Sequence, residues 1–216
     1  GTSDVEVFDR IFHILPTFSA KLWGDIEDYS VNDLNTLTEK IKYAPNSNPT
    51  YEIETEGNKV LDYNFNNDRG LDKSGNEFNM VAQENISYEE GKNRNALSLK
   101  GGASYVETPL EDLGLNSYLE FWVKRDSNSG NDEQILFESE NGAIKAVQKD
   151  TGKLGFSREG HDYSFNYELP KDEWVKIKLE TKFTRTLLYV NDEFVDELSI
   201  SGTGGKWATL IIPLER

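Results

Sequence analysis

The feature that most constrains the fold is a series of short runs, after residue 57, in which apolar and polar residues alternate. Tyr118 to Lys124 and Trp174 to Thr181 are clear examples, and Gly, Asn, Asp and Ser separate the runs. A period of two is typical of a half-buried strand, and such separators mark turns. No helix-length periodic segment follows residue 57, which argues against an α/β enzyme fold there. The pattern predicts a mainly β chain, an antiparallel β-sandwich of the jelly-roll kind with about twelve strands.

Groups of turn-forming residues separate most of the predicted strands. The predicted strands are Val60 to Phe65, Ala96 to Leu99, Tyr105 to Thr108, Tyr118 to Lys124, Gln134 to Ser139, Ala143 to Gln148, Lys153 to Ser157, Tyr163 to Tyr167, Trp174 to Thr181, Thr186 to Val190, Glu193 to Leu198 and Thr209 to Leu214. Asn141-Gly142 and Thr151-Gly152 predict tight hairpin turns. Asn191-Asp192 predicts another, because both residue types tolerate the left-handed backbone of a primed turn.

The first part of the chain has a different period. Apolar residues from Val5 to Leu15 recur at spacings of three and four, which predicts a helix that Pro16 interrupts. A second helix is predicted from Ser30, which can cap it together with Asp33. The breaker residues from Pro45 to Pro49 end this part. We therefore predict a short N-terminal helical segment at 1–45, a linker at 46–56 and the sandwich at 57–216.

Composition excludes several classes of function. The formal net charge of −16 would repel nucleic acid and anionic membrane surfaces. No run approaches the roughly 20 apolar residues of a membrane span, so we expect no membrane insertion. The chain has no cysteine and two histidines, which excludes disulfides, cysteine metal sites and a multi-histidine metal site.

Several segments, in order, resemble laminin-G-like and concanavalin A-like lectin modules over residues 57–199. The segments are Leu61 to Phe65, Asp72 to Asn76, Gly91-Lys92, Ala96 to Leu99, Ser104 to Val106, Leu119 to Lys124, Trp174 to Lys178, and Leu188 to Asn191 with Val195. The turn glycine usual in these modules is replaced by Asp192. The resemblance implies a sandwich that binds carbohydrate without catalysis.

The N-terminal segment resembles a different family. Asp9-Arg10, Leu15-Pro16 and Ser19 to Trp23 are similar to the C-terminal end of the catalytic barrel of family 20 glycoside hydrolases, the β-N-acetylhexosaminidases and lacto-N-biosidases. Lys21 stands where that family has a glutamate. The family's catalytic Asp-Glu pair lies upstream of such a segment. The resemblance therefore implies an accessory part of a secreted or cell-surface, bacterial glycosidase, with the parent catalytic domain as a partner.

The predicted sugar site rests on aromatic and polar residues that occur together. A sugar site combines an aromatic face with polar groups that bond hydroxyls. The loop with Arg158, His161, Asp162 and Tyr163 brings these types together, and the alternative is an ordinary polar hairpin. Trp207, in a glycine-rich stretch, is a second candidate whose alternative is covering a sandwich edge or the helices. The remaining tryptophans of the strands, Trp122 and Trp174, are predicted to lie in the core. Tyr118 and Tyr189 are predicted to be packing residues and not ligands.

A structural calcium is a further expectation, since many modules of the resembled kind hold one through oxygen ligands. Asp68, Asp72 and Asn76 cluster after the first predicted strand and are the predicted ligands. The alternative is that these residues satisfy their own turns.

The sequence leaves three interpretations of function. The first is a non-catalytic module that holds a parent glycosidase on host or milk glycans. The second is a structural module that packs on its own catalytic domain. The third is an independent hydrolase, for which Glu138 and Glu140 have the required spacing on one strand face. Their position beside the Asn141-Gly142 turn favours a solvated strand end instead.

Overall fold

A computed structural model describes residues 11–12, 14–24, 29–41, 53–67, 69–110, 116–140, 142–158, 160–182 and 185–199. The chain divides into two compact units, the first Gly1–Glu52 and the second Ile53–Glu215. The division falls within the stretch predicted as a linker.

The first unit contains two helices that contact each other, α1 (Leu15–Trp23) and α2 (Val31–Ile41). Pro16 lies in the first turn of α1, where its missing N–H costs no hydrogen bond. The predicted cap of α2 is present: Ser30 N donates to Asp33 Oδ2 at 2.9 Å, and Asp33 N donates to Ser30 Oγ at 3.2 Å. Bonds from the side chain and backbone of Ser30 lower the pKa of the Asp33 carboxyl. Among the described residues, neither helix has the length and apolar character of a membrane span.

The second unit is built from antiparallel strands. In chain order they are β1 (Ala82–Glu84), β2 (Ile86–Glu90), β3 (Asn95–Leu99), β4 (Tyr105–Glu107), β5 (Tyr118–Val123), β6 (Gln134–Ser139), β7 (Gly142–Val147), β8 (Gly155–Arg158), β9 (His161–Ser164), β10 (Val175–Lys182), β11 (Arg185–Val190) and β12 (Glu193–Ser199). Strands β12-β11-β10-β5 form a four-stranded sheet, here the first sheet, and β6-β7-β8-β9 form the second sheet. Strands β1 and β4 form a two-stranded pair, and so do β2 and β3.

The hydrophobic core joins the two four-stranded sheets. Ile177 and Leu179 of β10 belong to the same buried cluster as Ile144 of β7 and Phe156 of β8. The ring of Phe121 on β5 lies 5.0 Å from that of a β6 residue, Phe137. Two sheets that share one core make a sandwich, so the predicted mainly β fold is confirmed.

The first predicted strand is not formed. Val60 to Phe65 is irregular in the structure, because loop side chains bind its backbone in place of a neighbouring strand. Asn76 Nδ2 donates to Val60 O at 3.1 Å, and Asp62 N donates to Asp72 Oδ1 at 2.9 Å. Strands β1 and β2 were not predicted, since their mostly polar sequence lacks a clear alternation. The predicted strand at Thr209 to Leu214 lies outside the described residues.

The hairpin between β11 and β12 has the predicted turn. Asn191 and Asp192 have φ of 51° and 72°, the left-handed region that a primed turn requires. Asp192 also pairs with Lys176 Nζ at 2.5 Å. This ion pair gives the aspartate a role that the usual glycine could not have.

Candidate functional site

An open pocket of about 460 Å³ lies on the outer face of the second sheet, away from the core. We call it the sheet pocket. The pocket is lined by Glu133, Ile135, Glu138, Ser139, Glu140, Gly142, Ala143, Lys145, Ser157, Arg158, Gly160 and Asp162. Its lining is mostly polar, and its carboxylates outnumber its cations. This charge balance disfavours an anionic ligand.

Strand register brings these side chains together. Ala143 of β7 pairs with Ser157 of β8, which pairs with Asp162 of β9. Lys145 pairs with Ile135 on one side and with Gly155 on the other. Paired residues of neighbouring strands share a sheet face, so the five side chains other than that of the glycine face the pocket side. The small residues of β8 leave room for the lysine to reach across that strand.

Lys145 is the centre of the sheet pocket. It is 8% exposed, and its ammonium donates to Glu133 Oε2 at 2.5 Å and to Asp162 Oδ1 at 3.3 Å. Burial by itself would lower the pKa of this ammonium, but the hydrogen bonds and the attraction of both carboxylates raise it overall. The lysine is therefore a fixed cation. An ammonium has three N–H donors, and two are used by these partners.

A buried glutamine supports the sheet beside the pocket. Gln148 Nε2 donates to Phe156 O and to Tyr163 O, both at 3.1 Å, and so bridges β8 and β9. Its amide oxygen accepts a hydrogen bond from Ser164 Oγ. The amide lies where a side chain at Gly155 would begin, 2.6 Å from the position of a Cβ there. Glycine at this position is therefore required by packing.

The predicted sugar-binding residues divide between the pocket and other places. Arg158 and Asp162 both line the sheet pocket, with the arginine largely buried. His161 is exposed at the start of β9. Tyr163 is 5% exposed and its ring stacks on that of Phe156 at 5.0 Å, so it is a core residue and offers no open face to a sugar. The other predicted aromatic, Trp207, lies outside the described residues.

Sequence reasoning missed Glu133 and Lys145. A usable signal was present for the lysine, which interrupts the apolar run from Ala143 to Val147. A lysine inside a buried strand must have charged partners. Nothing local identified those partners, because they come from β9 and from the segment before β6.

The core assignment of Trp122 is corrected, and Tyr118, predicted to be a packing residue, also lies on the outer face of its strand. On β5, Leu119, Phe121 and Val123 pack against the core, so the alternate positions face outward. Trp122 is 40% exposed and Tyr118 is 52% exposed. Trp174 and Tyr189 are half-buried. The tryptophan shares its strand face with Glu120 and not with the apolar residues.

Two of the predicted calcium ligands, Asp72 and Asn76, are engaged in hydrogen bonds. Asp72 Oδ1 accepts from Asp62 N and Ser74 N, both at 2.9 Å. Its Oδ2 accepts from Ser74 Oγ at 2.6 Å and from Phe78 N at 3.1 Å. A calcium ion here would have to displace these donors, so Asp72 does not fit a calcium site.

Asn76 is engaged in the same way. Its Oδ1 accepts from Glu56 N at 2.9 Å. Asp68 lies outside the described residues. Among the residues that are described, no cluster of three or more His, Asp or Glu side chains is arranged to hold a metal. Calcium binding stays a prediction, tested by comparing the melting temperature in calcium and in EDTA.

We expect Asp72 to stabilise the loop. Burial alone would raise the pKa of its carboxyl, but bonds from Ser74 and from backbone N–H groups lower it overall. A depressed pKa means that the carboxylate stabilises the fold above pH ~3.9, its unfolded pKa, and ceases to do so as the pH falls through the folded value. Asp72→Asn should cost roughly 1–3 kcal/mol at pH 7. Thermal unfolding between pH 7 and pH 3 should show the difference in melting temperature between Asp72→Asn and the wild type disappearing below about pH 4.

Asp150→Asn, in an exposed turn, is the control for this variant. Equal melting temperatures of Asp72→Asn and Asp150→Asn at pH 7 would contradict a stabilising role of Asp72.

Comparison with known proteins adds evidence on the fold. No protein-family model and no curated protein matches the chain. Among solved structures, domain 4 of AbnA, a GH43 extracellular arabinanase from Geobacillus stearothermophilus, in complex with arabinotriose, has 20% identity and a TM-score of 0.50, and the match covers 63% of this chain and 73% of that one. The binding domain of Paraclostridial Mosquitocidal Protein 1 has 18% identity and a TM-score of 0.44, covering 70% of this chain and 40% of that one. The likeness to the arabinanase domain shows a shared β-sandwich fold.

Proposed function

We propose that this chain is a non-catalytic carbohydrate-binding module and that the sheet pocket is its sugar site. The observation that carries the proposal is the buried ammonium of Lys145, held by two carboxylates in the floor of an open polar pocket. Sugar hydroxyls both donate and accept hydrogen bonds. The pocket presents a fixed donor between two acceptors, which suits a pair of neighbouring hydroxyls.

Other lining residues complete such a site. Ser157 adds a hydroxyl on the same face, and Ile135 offers an exposed apolar surface for the C–H groups of a sugar. The excess of carboxylates favours neutral sugars over sialylated or uronic ones.

Glu133 and Asp162 are bridged by one lysine. A glycosidase needs one carboxyl to donate a proton and the other to attack or activate water, so this lysine-bridged pair of carboxylates is suited to binding and not to hydrolysis. The arabinanase domain of similar fold was solved with arabinotriose, which also supports an oligosaccharide ligand.

A glycan array that includes arabinotriose tests the proposal, followed by titration of the strongest ligand. Lys145→Met should weaken binding about 10- to 100-fold, because a hydrogen bond to a charged group contributes roughly 1.5–3 kcal/mol. Asp162→Asn, which keeps the shape of the side chain, should weaken it less. Glu89→Ala, exposed on β2, is the control. An array with no bound glycan, or equal affinity in all variants with intact melting curves, would overturn the proposal.

We further propose that the module belongs to a family 20 glycosidase, a β-N-acetylhexosaminidase or lacto-N-biosidase, secreted or on the cell surface of a bacterium, and holds it on host or milk glycans. The helices support a link to another domain. Apolar residues of the first unit, including Phe18, Leu22 and Trp23, are exposed. An exposed apolar surface of this kind commonly marks an interface. Weak sugar affinity would suffice, since tethering raises the effective concentration of substrate.

The same exposed helices favour a second candidate function, a structural module that packs on its catalytic domain without binding sugar. A dye that fluoresces on apolar surfaces should bind this chain, and Phe18→Ser with Leu22→Ser should reduce that binding. A failure of the wild type to bind the dye would count against any such interface.

A further inference from the structure

The outer face of the first sheet carries exposed aromatic rings set among charged side chains. Tyr118 and Trp122 project from β5, and Phe194 projects from β12, with exposures of 52%, 40% and 56%. The core residues of β5 occupy its alternate positions and fix Tyr118 and Trp122 on the solvent side, and Phe194 pairs with Tyr189 of β11. We call this surface the aromatic face. It lies on the opposite side of the sandwich from the sheet pocket.

Lysine side chains hold the rings in place. Lys178 Nζ lies 4.8 Å from the ring centroid of Tyr118 and 5.1 Å from that of Tyr189, so one cation fills the space between two rings. The ring of Phe194 meets Tyr189 edge-on at 5.8 Å. The rings of Tyr118, Tyr189 and Phe194 therefore have packing partners before any ligand arrives, which lowers the entropic cost of binding.

The charges of the aromatic face are paired locally. Lys176 contacts Asp192 at 2.5 Å and Glu120 at 3.9 Å. Glu180 contacts Lys182 at 2.5 Å and Lys178 at 3.8 Å. A surface whose positive and negative side chains pair in this way does not favour a charged ligand. It does present donors and acceptors on the same face as the rings, which is what a neutral hydroxylated ligand requires.

The spacing of the rings indicates a ligand longer than one sugar. Tyr118 and Trp122 are four residues apart on one strand, roughly 13 Å, and β5 and β12 are three strand spacings apart, roughly 14 Å. The core of a protein interface is depleted in charges, whereas here charges separate the rings. We infer that the aromatic face is a second binding surface, distinct from the sheet pocket, and that its ligand is a neutral polysaccharide chain.

Calorimetric titration with linear neutral trisaccharides and hexasaccharides of arabinose, xylose, glucose and N-acetylglucosamine tests the inference. The wild type should bind at least one hexasaccharide more tightly than its trisaccharide. Tyr118→Ala and Phe194→Ala should each weaken hexasaccharide binding about three- to tenfold, the loss expected for one stacked ring. Tyr105→Ala, an exposed tyrosine on β4, is the matched control.

Pocket variants separate this inference from the proposed function. Binding that falls in the Tyr118→Ala and Phe194→Ala variants but persists in Lys145→Met supports the aromatic face. Binding that falls only in Lys145→Met overturns the aromatic face and leaves the proposed function standing. Hexasaccharide affinity that is equal in the wild type, Tyr118→Ala and Tyr105→Ala, or a wild type that binds no hexasaccharide, also overturns the aromatic face.

Discussion

Gly155→Ala is expected to lower the free energy of unfolding by roughly 2–4 kcal/mol. A Cβ at this position would collide with the carbonyl oxygen of Tyr163 and lie 2.6 Å from Gln148 Nε2. The first neighbour is backbone of the adjacent strand and the second is a fully buried amide. Neither can move without breaking the bonds that join β8 and β9, so the sheet that carries the pocket would separate there.

Urea unfolding measures this effect. Gly57→Ala is the matched control, because a Cβ there has no atom within 4 Å. We expect Gly57→Ala to leave the unfolding midpoint nearly unchanged. If both variants unfolded at the wild-type midpoint, the packing of Gln148 against Gly155 would be incorrect.

Leu179→Ala is expected to lower the free energy of unfolding by about 2–5 kcal/mol, the range for truncating a fully buried leucine. Leu179 lies at the centre of β10 and pairs with Leu119 on one side and Leu188 on the other. All three belong to the core or pack against it, so the cavity would have rigid walls. The residue before it, Lys178, faces outward.

Lys178→Ala is therefore the matched control for Leu179→Ala, with an expected cost below about 1 kcal/mol. Chemical unfolding of both variants tests which face of the first sheet meets the core. A larger loss of unfolding free energy for Lys178→Ala than for Leu179→Ala would mean that the two faces of the first sheet are assigned the wrong way round. The aromatic face would then not lie on the solvent side.

Local sequence signals predicted much of the fold. The cap formed by Ser30 and Asp33 and the turn at Asn191-Asp192 involve only neighbouring residues. The alternation of apolar and polar residues located most strands, because strands such as β5 and β10 bury one face. The segment at Val60 to Phe65 misled the prediction because its partners are loop side chains such as Asn76 and Asp72.

The site was harder to predict because aromatic residues suit either face of a strand. Trp122 was assigned to the core, although Glu120 shares its face and indicates solvent. Tyr163 was predicted to bind sugar, although it shares a strand face with Phe165, which is fully buried. The pocket itself depends on Glu133, Lys145 and Asp162, which meet only after four strands have paired. Contacts at that separation leave no pattern in a single sequence.

We propose that the outer face of the second sheet binds sugar at Lys145. The most direct test is an NMR titration of the isotope-labelled chain with the glycan that binds most tightly on the array. We expect the amide shifts to concentrate at pocket residues, such as Ala143, Lys145, Ser157 and Asp162, and to disappear in Lys145→Met. Shifts that spare all four residues while the glycan binds would contradict the proposal.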